Sequence, residues 1–183
     1  MVIIHQTPPG DKPNEKIADL EWCPFVVAID SREQAPFSFQ QILLAKKQWF
    51  VPRRTVLLET GDYSIVGCEN LIAIERKSTD DLLNTIGAGH GRFRREHERM
   101  LAIKNAGGFA AVVVEGGFAE IWNELDAGVT GRRITSDLVI GIVASWPQQY
   151  GVAWHFAGDR RRAELLTFRI LWKWWDQAGI ATD

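Results

Sequence analysis

With 183 residues, 46% hydrophobic and 24% charged, the chain has the composition of a single globular domain. These proportions exclude a disordered chain, a coiled coil and a collagen-like repeat, and no apolar run approaches the ~18 residues that a membrane-spanning helix needs. The 21 Lys and Arg against 23 Asp and Glu leave a net charge of −2, which argues against a passive nucleic-acid coat but not against an enzyme that separates its acidic and basic groups.

The N-terminus has no positive segment followed by an apolar one, so no secretory signal is expected. Cys23 and Cys68 are too few for a disulfide scaffold or a zinc site, and the expected setting is reducing and cytoplasmic. Residues 1–24 read as a flexible acidic tail, broken by Pro8, Pro9, Gly10 and Pro13, with the ordered domain spanning 25–183. Phe25-Val26-Val27-Ala28-Ile29 is a buried strand that ends at Asp30. A helix is expected over 39–47, then strands over 55–58, 63–66 and 71–77, the last two joined by the turn-forming Gly67-Cys68-Glu69-Asn70. Ser78 opens a helix carrying Leu82, Leu83 and Ile86, which Gly87, Gly89 and Gly91 stop.

A second helix covers 92–105, with Phe93, Met100 and Leu101 on one face and Gly107 at the C-terminal cap position. A strand over 109–115 follows, and 116–135 receives no element. A helix over 136–150 has Leu138, Ile142 and Val143 inside, and Pro147 should end or kink it. A strand over 152–156 precedes a long helix over 159–178, with Asp159 as N-cap and Gly179 after its end. Strands and helices interleave, which makes the class α/β with a central mixed sheet flanked by helices.

The chemistry concentrates in Gly61-Asp62-Tyr63 and Glu75-Arg76-Lys77. If 67–70 is a four-residue hairpin loop, paired residue numbers sum to 137 and Asp62 lies opposite Glu75. Directly opposed residues share a face, with Cβ atoms roughly 4.5–5.5 Å apart. Alternation puts Lys77 on the face of Glu75 and Arg76 on the other. Facing carboxylates repel, and a hard oxygen-seeking ion such as Mg²⁺ relieves that cost while taking only one or two protein carboxylates. Such an ion supplies a stronger water nucleophile and stabilises charge on a phosphoryl oxygen. The Lys77 ammonium would orient or deprotonate that water, or neutralise the charged phosphate. By spacing alone, an exposed hairpin with a Glu–Lys surface pair is an equal alternative.

The surrounding residues separate the two. Asp30-Ser31-Arg32-Glu33, Leu58-Glu59-Thr60-Gly61-Asp62-Tyr63 and Ile74-Glu75-Arg76-Lys77-Ser78-Thr79-Asp80-Asp81-Leu82 stand in the same order as in the XPF-type structure-specific endonucleases. That family's nuclease motif reads G-D, a spacer, then E-R-K-x-x-x-D. Gly61-Asp62, Glu75-Arg76-Lys77 and Asp81 match it in full, and Arg92-Phe93 resembles its continuation. The resemblance runs from about Phe25 to the last helix. It implies a restriction-endonuclease-like core, a Mg²⁺ or Mn²⁺ requirement and cleavage of DNA, at branches or flaps, to leave a 5′-phosphate.

It also implies that Asp62 and Glu75 bind metal, with the Arg76 carbonyl as a backbone ligand, and that Lys77 acts on the water. Asp30 and Glu33 would complete the acidic pocket, through water or a second metal. Each has a plainer reading, as a turn residue for Asp30 and a surface charge for Glu33. Asp81 fits a helix-capping arrangement with Ser78 as well as it fits a catalytic role. Arg32 and Arg76 either buttress the carboxylates or contact a phosphate.

For DNA, Arg92, Arg94, Arg95, Arg99 and Lys104 accompany only Glu96 and Glu98 on one helix, a local basic excess suited to phosphates. The alternative is a solvated face of Glu–Arg pairs. Arg160, Arg161 and Arg162 lie in the first turn of the last helix, where cations oppose the dipole, which calls for a partner. His90, His97 and His155 have no metal-ligand spacing. Phe168, Leu171, Trp172 and Trp175 share one face of the last helix and Trp174 lies on another, a pattern of core packing with room for a homodimer contact, which the resemblance also favours. The tandem helix-hairpin-helix motifs that the family usually appends are missing from this sequence, so branch preference is the least secured implication and a prokaryotic or viral origin is expected. The competing function is a non-catalytic DNA-binding or dimerisation module of the same fold.

Overall fold

Strands form where β-branched and aromatic residues run between turn signals, and their order decides which side chains meet. The computed structural model describes residues 20–128 and 134–179. Nine strands and five helices lie among them: β1 (Leu20–Trp22), β2 (Val27–Asp30), β3 (Ile42–Leu44), β4 (Lys47–Phe50), β5 (Arg53–Val56), β6 (Tyr63–Ile65), β7 (Ile72–Lys77), α1 (Thr79–Ile86), α2 (His90–Asn105), β8 (Phe109–Val114), α3 (Phe118–Asp126), α4 (Ser136–Tyr150), β9 (Ala153–Phe156) and α5 (Arg160–Ala178). The main sheet has six strands in the order β5-β2-β6-β7-β8-β9, and β1-β4-β3 form a small second sheet. β6 runs antiparallel to both β2 and β7, whereas β2–β5, β7–β8 and β8–β9 are parallel, so the sheet is mixed as expected.

Alternation along the strands splits the core in two. Ile72, Ile74 and Val113 join Phe25, Tyr63, Phe168 and Leu171 on the face covered by α5 and the small sheet. Val112 and Val114 pack with Leu82, Phe93, Met100, Ile142 and Trp146 from α1, α2 and α4 on the other. β7 and β8 are buried along nearly their whole length, as expected of central parallel strands covered on both faces. The caps fall where the sequence places them. Ser78 Oγ accepts the Asp81 N–H, Asp159 caps α5 and Gly179 ends it in the left-handed region, while Gly151, not singled out in the sequence, ends α4 in the same way.

Four expectations need correction. The helix over 39–47 is instead the β3–β4 hairpin. Leu44 pairs with Lys47 across a two-residue turn, with Ala45 and Lys46 at φ of 53° and 65°. Good helix formers lose here to the burial of Ile42 and to cross-strand pairing with Trp49. β1 lies within the stretch read as tail, pairing in parallel with β4; residues 1–19 lie outside the described residues. α3, left unassigned, buries Ile121 and Leu125 at i, i+4 spacing. In α4 it is Val139 rather than Leu138 that points inward, and Leu138 is exposed. α4 ends at Tyr150 as expected, in the turn that Pro147 occupies, with Trp146 and Tyr150 buried on either side of the proline.

Candidate active site

The β6–β7 hairpin brings the first carboxylates together. Tyr63 faces Ile74, which agrees with the expected sum of 137 at that pair, while the strands stop at Ile65 and Ile72, leaving a connection longer than the four residues expected. The Asp62 N–H donates to the Ile74 carbonyl at 2.8 Å, and the Asp62 carbonyl accepts the Asp30 N–H at 2.9 Å. Gly61 has φ of +73°, and a Cβ on it would lie 3.0 Å from the Ile74 carbonyl oxygen, an approach that only glycine makes without strain. Asp62 Oδ2 accepts the Arg76 N–H at 2.7 Å.

Beyond Ile74, β7 sends its polar side chains to opposite faces, as alternation predicts. Arg76 follows Ile72 and Ile74, with its guanidinium carbon 5.7 Å from the centre of the Phe37 ring. Glu75 and Lys77 point to the α1–α2 side. The Lys77 ammonium bonds Glu75 Oε1 and lies 5.5 Å from the centre of the Phe93 ring. Two adjoining cavities open there. One, of about 650 Å³, is lined by Glu33, Asp62, Glu75, Arg76, Lys77, Asp81 and Arg92 among others. The other, of about 250 Å³, is lined by Asp30, Asp62, Glu75, Lys77, Arg92, Glu96 and Arg99 among others. Asp62, Glu75 and Lys77 therefore share one concavity.

The remaining acidic positions are held by arginines. Asp30 is buried, and Arg32 donates to Oδ1 from its backbone at 2.7 Å and to Oδ2 from Nη2 at 2.6 Å, with a further bond to the Leu58 carbonyl at 2.5 Å. Burial pushes the Asp30 carboxyl up, but the Arg32 bonds and charge outweigh it and hold the pKa below the ordinary value. Glu33 Oε1 accepts the Ala35 N–H at 2.7 Å and Arg76 Nη1 at 3.3 Å. Arg76 Nε also donates to Glu115 Oε1 at 2.7 Å, and Arg160 Nη1 reaches the same oxygen at 2.7 Å. Arg32 and Arg76 thus buttress carboxylates. Glu115, at the end of β8, is the partner that the adverse position of Arg160 called for. Asp81 Oδ2 accepts the Ser78 hydroxyl at 2.8 Å, closing the helix cap while its side chain faces the larger cavity.

Burial first, and then the Glu75 charge, push the Asp62 carboxyl up to about 8, against the Arg76 N–H bond. Burial likewise raises Glu75, opposed by Lys77 and reinforced by Glu96 and Glu33. Burial would lower Lys77, but the Glu75 charge and hydrogen bond, with Asp62 and Glu96, outweigh it, and the ammonium keeps its proton. A half-buried Asp62 and a buried Glu75 that resist joint ionisation form an oxygen-only donor set of the kind a hard divalent cation fits. Among the described residues no group of three or more His, Cys, Asp or Glu is placed to hold a metal ion, and one or two carboxylates with water is a donor set that Mg²⁺ accepts.

Of the basic helix, Arg92 and Arg99 face the cavities, whereas Arg94 and Arg95 line neither. Arg94 pairs with exposed Glu98 at 3.6 Å, the solvated reading of that face. Two participants were not singled out as site residues from the sequence. Glu96 pairs with Arg99 and accepts the Gly61 N–H at 3.0 Å. Its signal was available, since Arg92, Glu96 and Arg99 recur at i, i+4 and i+7 beside buried Phe93. Glu115 had no local signal, because only the β7–β8 register brings it beside Arg76. His97, by contrast, is sealed among aromatics, donating Nδ1–H to the Phe93 carbonyl at 3.0 Å and accepting Trp154 Nε1–H at 3.2 Å.

A mixed sheet flanked by helices, with an acidic cleft at its strand ends that carries a lysine, is the arrangement expected of an XPF-type nuclease domain. The chain belongs to the ERCC4 domain family, whose model matches residues 29–167. Among solved structures it is similar to XPF from Aeropyrum pernix in complex with DNA, with a TM-score of 0.58 and 19% identity over 86% of this chain and 68% of that one. It is also similar to a second structure of XPF from Aeropyrum pernix, with a TM-score of 0.56 and 17% identity over 85% of this chain and 62% of that one. The chain thus spans about two thirds of those proteins. No curated protein matches it significantly in sequence.

Proposed function

We propose that this chain is a divalent-metal-dependent endonuclease that hydrolyses DNA phosphodiester bonds, with Mg²⁺ or Mn²⁺ held by Asp62 and Glu75. The observation that carries the reading is the convergence of Asp62, Glu75 and Lys77 on one concavity bordered by Arg92 and Arg99. Bound there, the cation would activate water and stabilise the charge that develops on the phosphoryl group. Lys77, held protonated by Glu75, would donate to a phosphate oxygen or orient the water. Arg92 and Arg99 would neutralise backbone phosphates on either side of the scissile bond. Asp30 and Glu33, locked by Arg32 and Arg76, would shape the acidic wall and accept hydrogen bonds from ordered water.

Support for DNA as the substrate comes from the family and from the DNA-bound relative. Preference for flaps or branches, a product 5′-phosphate and a role in DNA repair or recombination extend the same reading. Homodimerisation rests on the resemblance alone, because Trp172, Trp174 and Trp175 of α5 all pack against the chain's own core. Light scattering that returned a monomer at micromolar concentration would remove it.

The decisive experiment incubates labelled flap, splayed and plain duplex DNA with the chain in Mg²⁺, Mn²⁺ or EDTA. Cleavage with either metal, lost in EDTA and reduced about a thousandfold by Asp62→Asn or Lys77→Ala, is the expected outcome. Binding without cleavage under every metal would favour a non-catalytic DNA-binding module.

A further inference from the structure

We propose that Glu96 is a positioning residue of the carboxylate site, clamping the turn that aims Asp62 and tying it to α2; the proposal rests on the nuclease reading above. Its two oxygens serve two elements. Oε1 accepts the Gly61 N–H at 3.0 Å, and Oε2 pairs with Arg99 less than one turn further along the helix. Gly61 immediately precedes Asp62, and lacking a Cβ it can leave its φ of +73° at less cost than any other residue type. The next amide, that of Asp62, is held by the Ile74 carbonyl. Glu96 and Ile74 between them therefore hold both amides that set the direction of the Asp62 side chain.

The clamp sits inside the site rather than behind it. Glu96 lines the smaller cavity together with Asp30, Asp62, Glu75 and Lys77. A third carboxylate beside Asp62 and Glu75 adds to a repulsion that a neutral acceptor would avoid, so the charge needs a reason. Arg99 supplies it, because the ion pair orients the Glu96 carboxylate towards Gly61 and keeps the arginine over the cavity. A group that orients a metal ligand is worth about 10–100-fold in metal affinity in other sites.

The test uses the full chain, stripped of metal, with Mn²⁺ as the probe. Glu96→Ala should speed hydrogen exchange at the Gly61 amide and weaken Mn²⁺ binding, measured by calorimetry, about tenfold. Cleavage by this variant at low Mn²⁺ should fall by a similar factor and recover as Mn²⁺ approaches saturation. Glu96→Gln, which still offers an acceptor oxygen, should restore both Gly61 protection and most of the Mn²⁺ affinity. Wild-type affinity in Glu96→Ala, unchanged Gly61 exchange, or a Glu96→Gln variant as weak as Glu96→Ala would each overturn the clamp. Absence of Mn²⁺ binding by the wild-type chain would instead sink the nuclease reading, and the clamp with it.

Discussion

At the scale of single residues, the decisive fact about Asp62 is where its charge sits. An aspartate whose folded pKa is about 8 and whose unfolded pKa is 3.8 binds its proton more tightly in the folded state. Its contribution to stability is full below about pH 4 and is lost as pH rises through about 8. In EDTA, Asp62→Asn should therefore melt at about the wild-type temperature near pH 4 and progressively higher as pH rises, by several degrees above pH 8, with a flatter profile between. A melting temperature lowered across this whole range would mean that Asp62 is a structural group. Glu75→Gln should behave differently, because it leaves the mostly buried Lys77 ammonium without its carboxylate partner.

At the scale of elements, local chemistry and tertiary packing disagree most at β3–β4. The turn residues Ala45 and Lys46 both adopt positive φ, which costs an L-residue and not glycine. Lys46→Gly should raise stability by about 0.5–1 kcal/mol, read from the denaturation midpoint in urea. A destabilised variant would mean that the turn is not strained. The opposite sign is expected at α1, where Ser78 caps the helix and also bonds Asp81. Ser78→Ala should cost about 1 kcal/mol by the same measurement. It should also release Asp81 at the mouth of the larger cavity.

At the scale of the whole molecule, the two core layers respond differently to acid. His97 joins α2 to α4 and β9 within the layer that also backs the site. Burial depresses its pKa from 6.5 to about 4, so the stability it contributes is present above pH 6.5 and lost as pH falls through 4. By linkage the loss approaches about 3 kcal/mol. Circular dichroism melts should show the wild-type chain losing stability between pH 6.5 and 4 more steeply than His97→Gln, even though the variant starts lower at pH 7. Equal slopes would mean that His97 is solvated. The charge layout makes a separate prediction. With a net charge of −2, the proposed DNA binding should rest on a few cations such as Arg92 and Arg99, and the affinity should fall with salt in proportion to their number. Arg92→Ala should reduce the slope of log K against log salt by about one.

The approach of Asp62 to Glu75 and the alternation of Arg76 and Lys77 were legible in the chain itself, because a hairpin's pairing and a strand's two-residue period are local properties. The same holds for the caps at Ser78, Asp159 and Gly179, where one side chain or one glycine settles the matter within a few residues. Other features depended on contacts between distant segments. Whether 39–47 became helix or hairpin turned on burying Ile42 beside residues far along the chain. Glu115 meets Arg76 and Arg160 only because β8 lies next to β7 and α5 docks beside them. Glu96 reaches Gly61 only because α2 packs across the ends of β6 and β7. Local periodicity sets which face a side chain takes, but sheet order and helix docking, which no local window contains, set what it meets there.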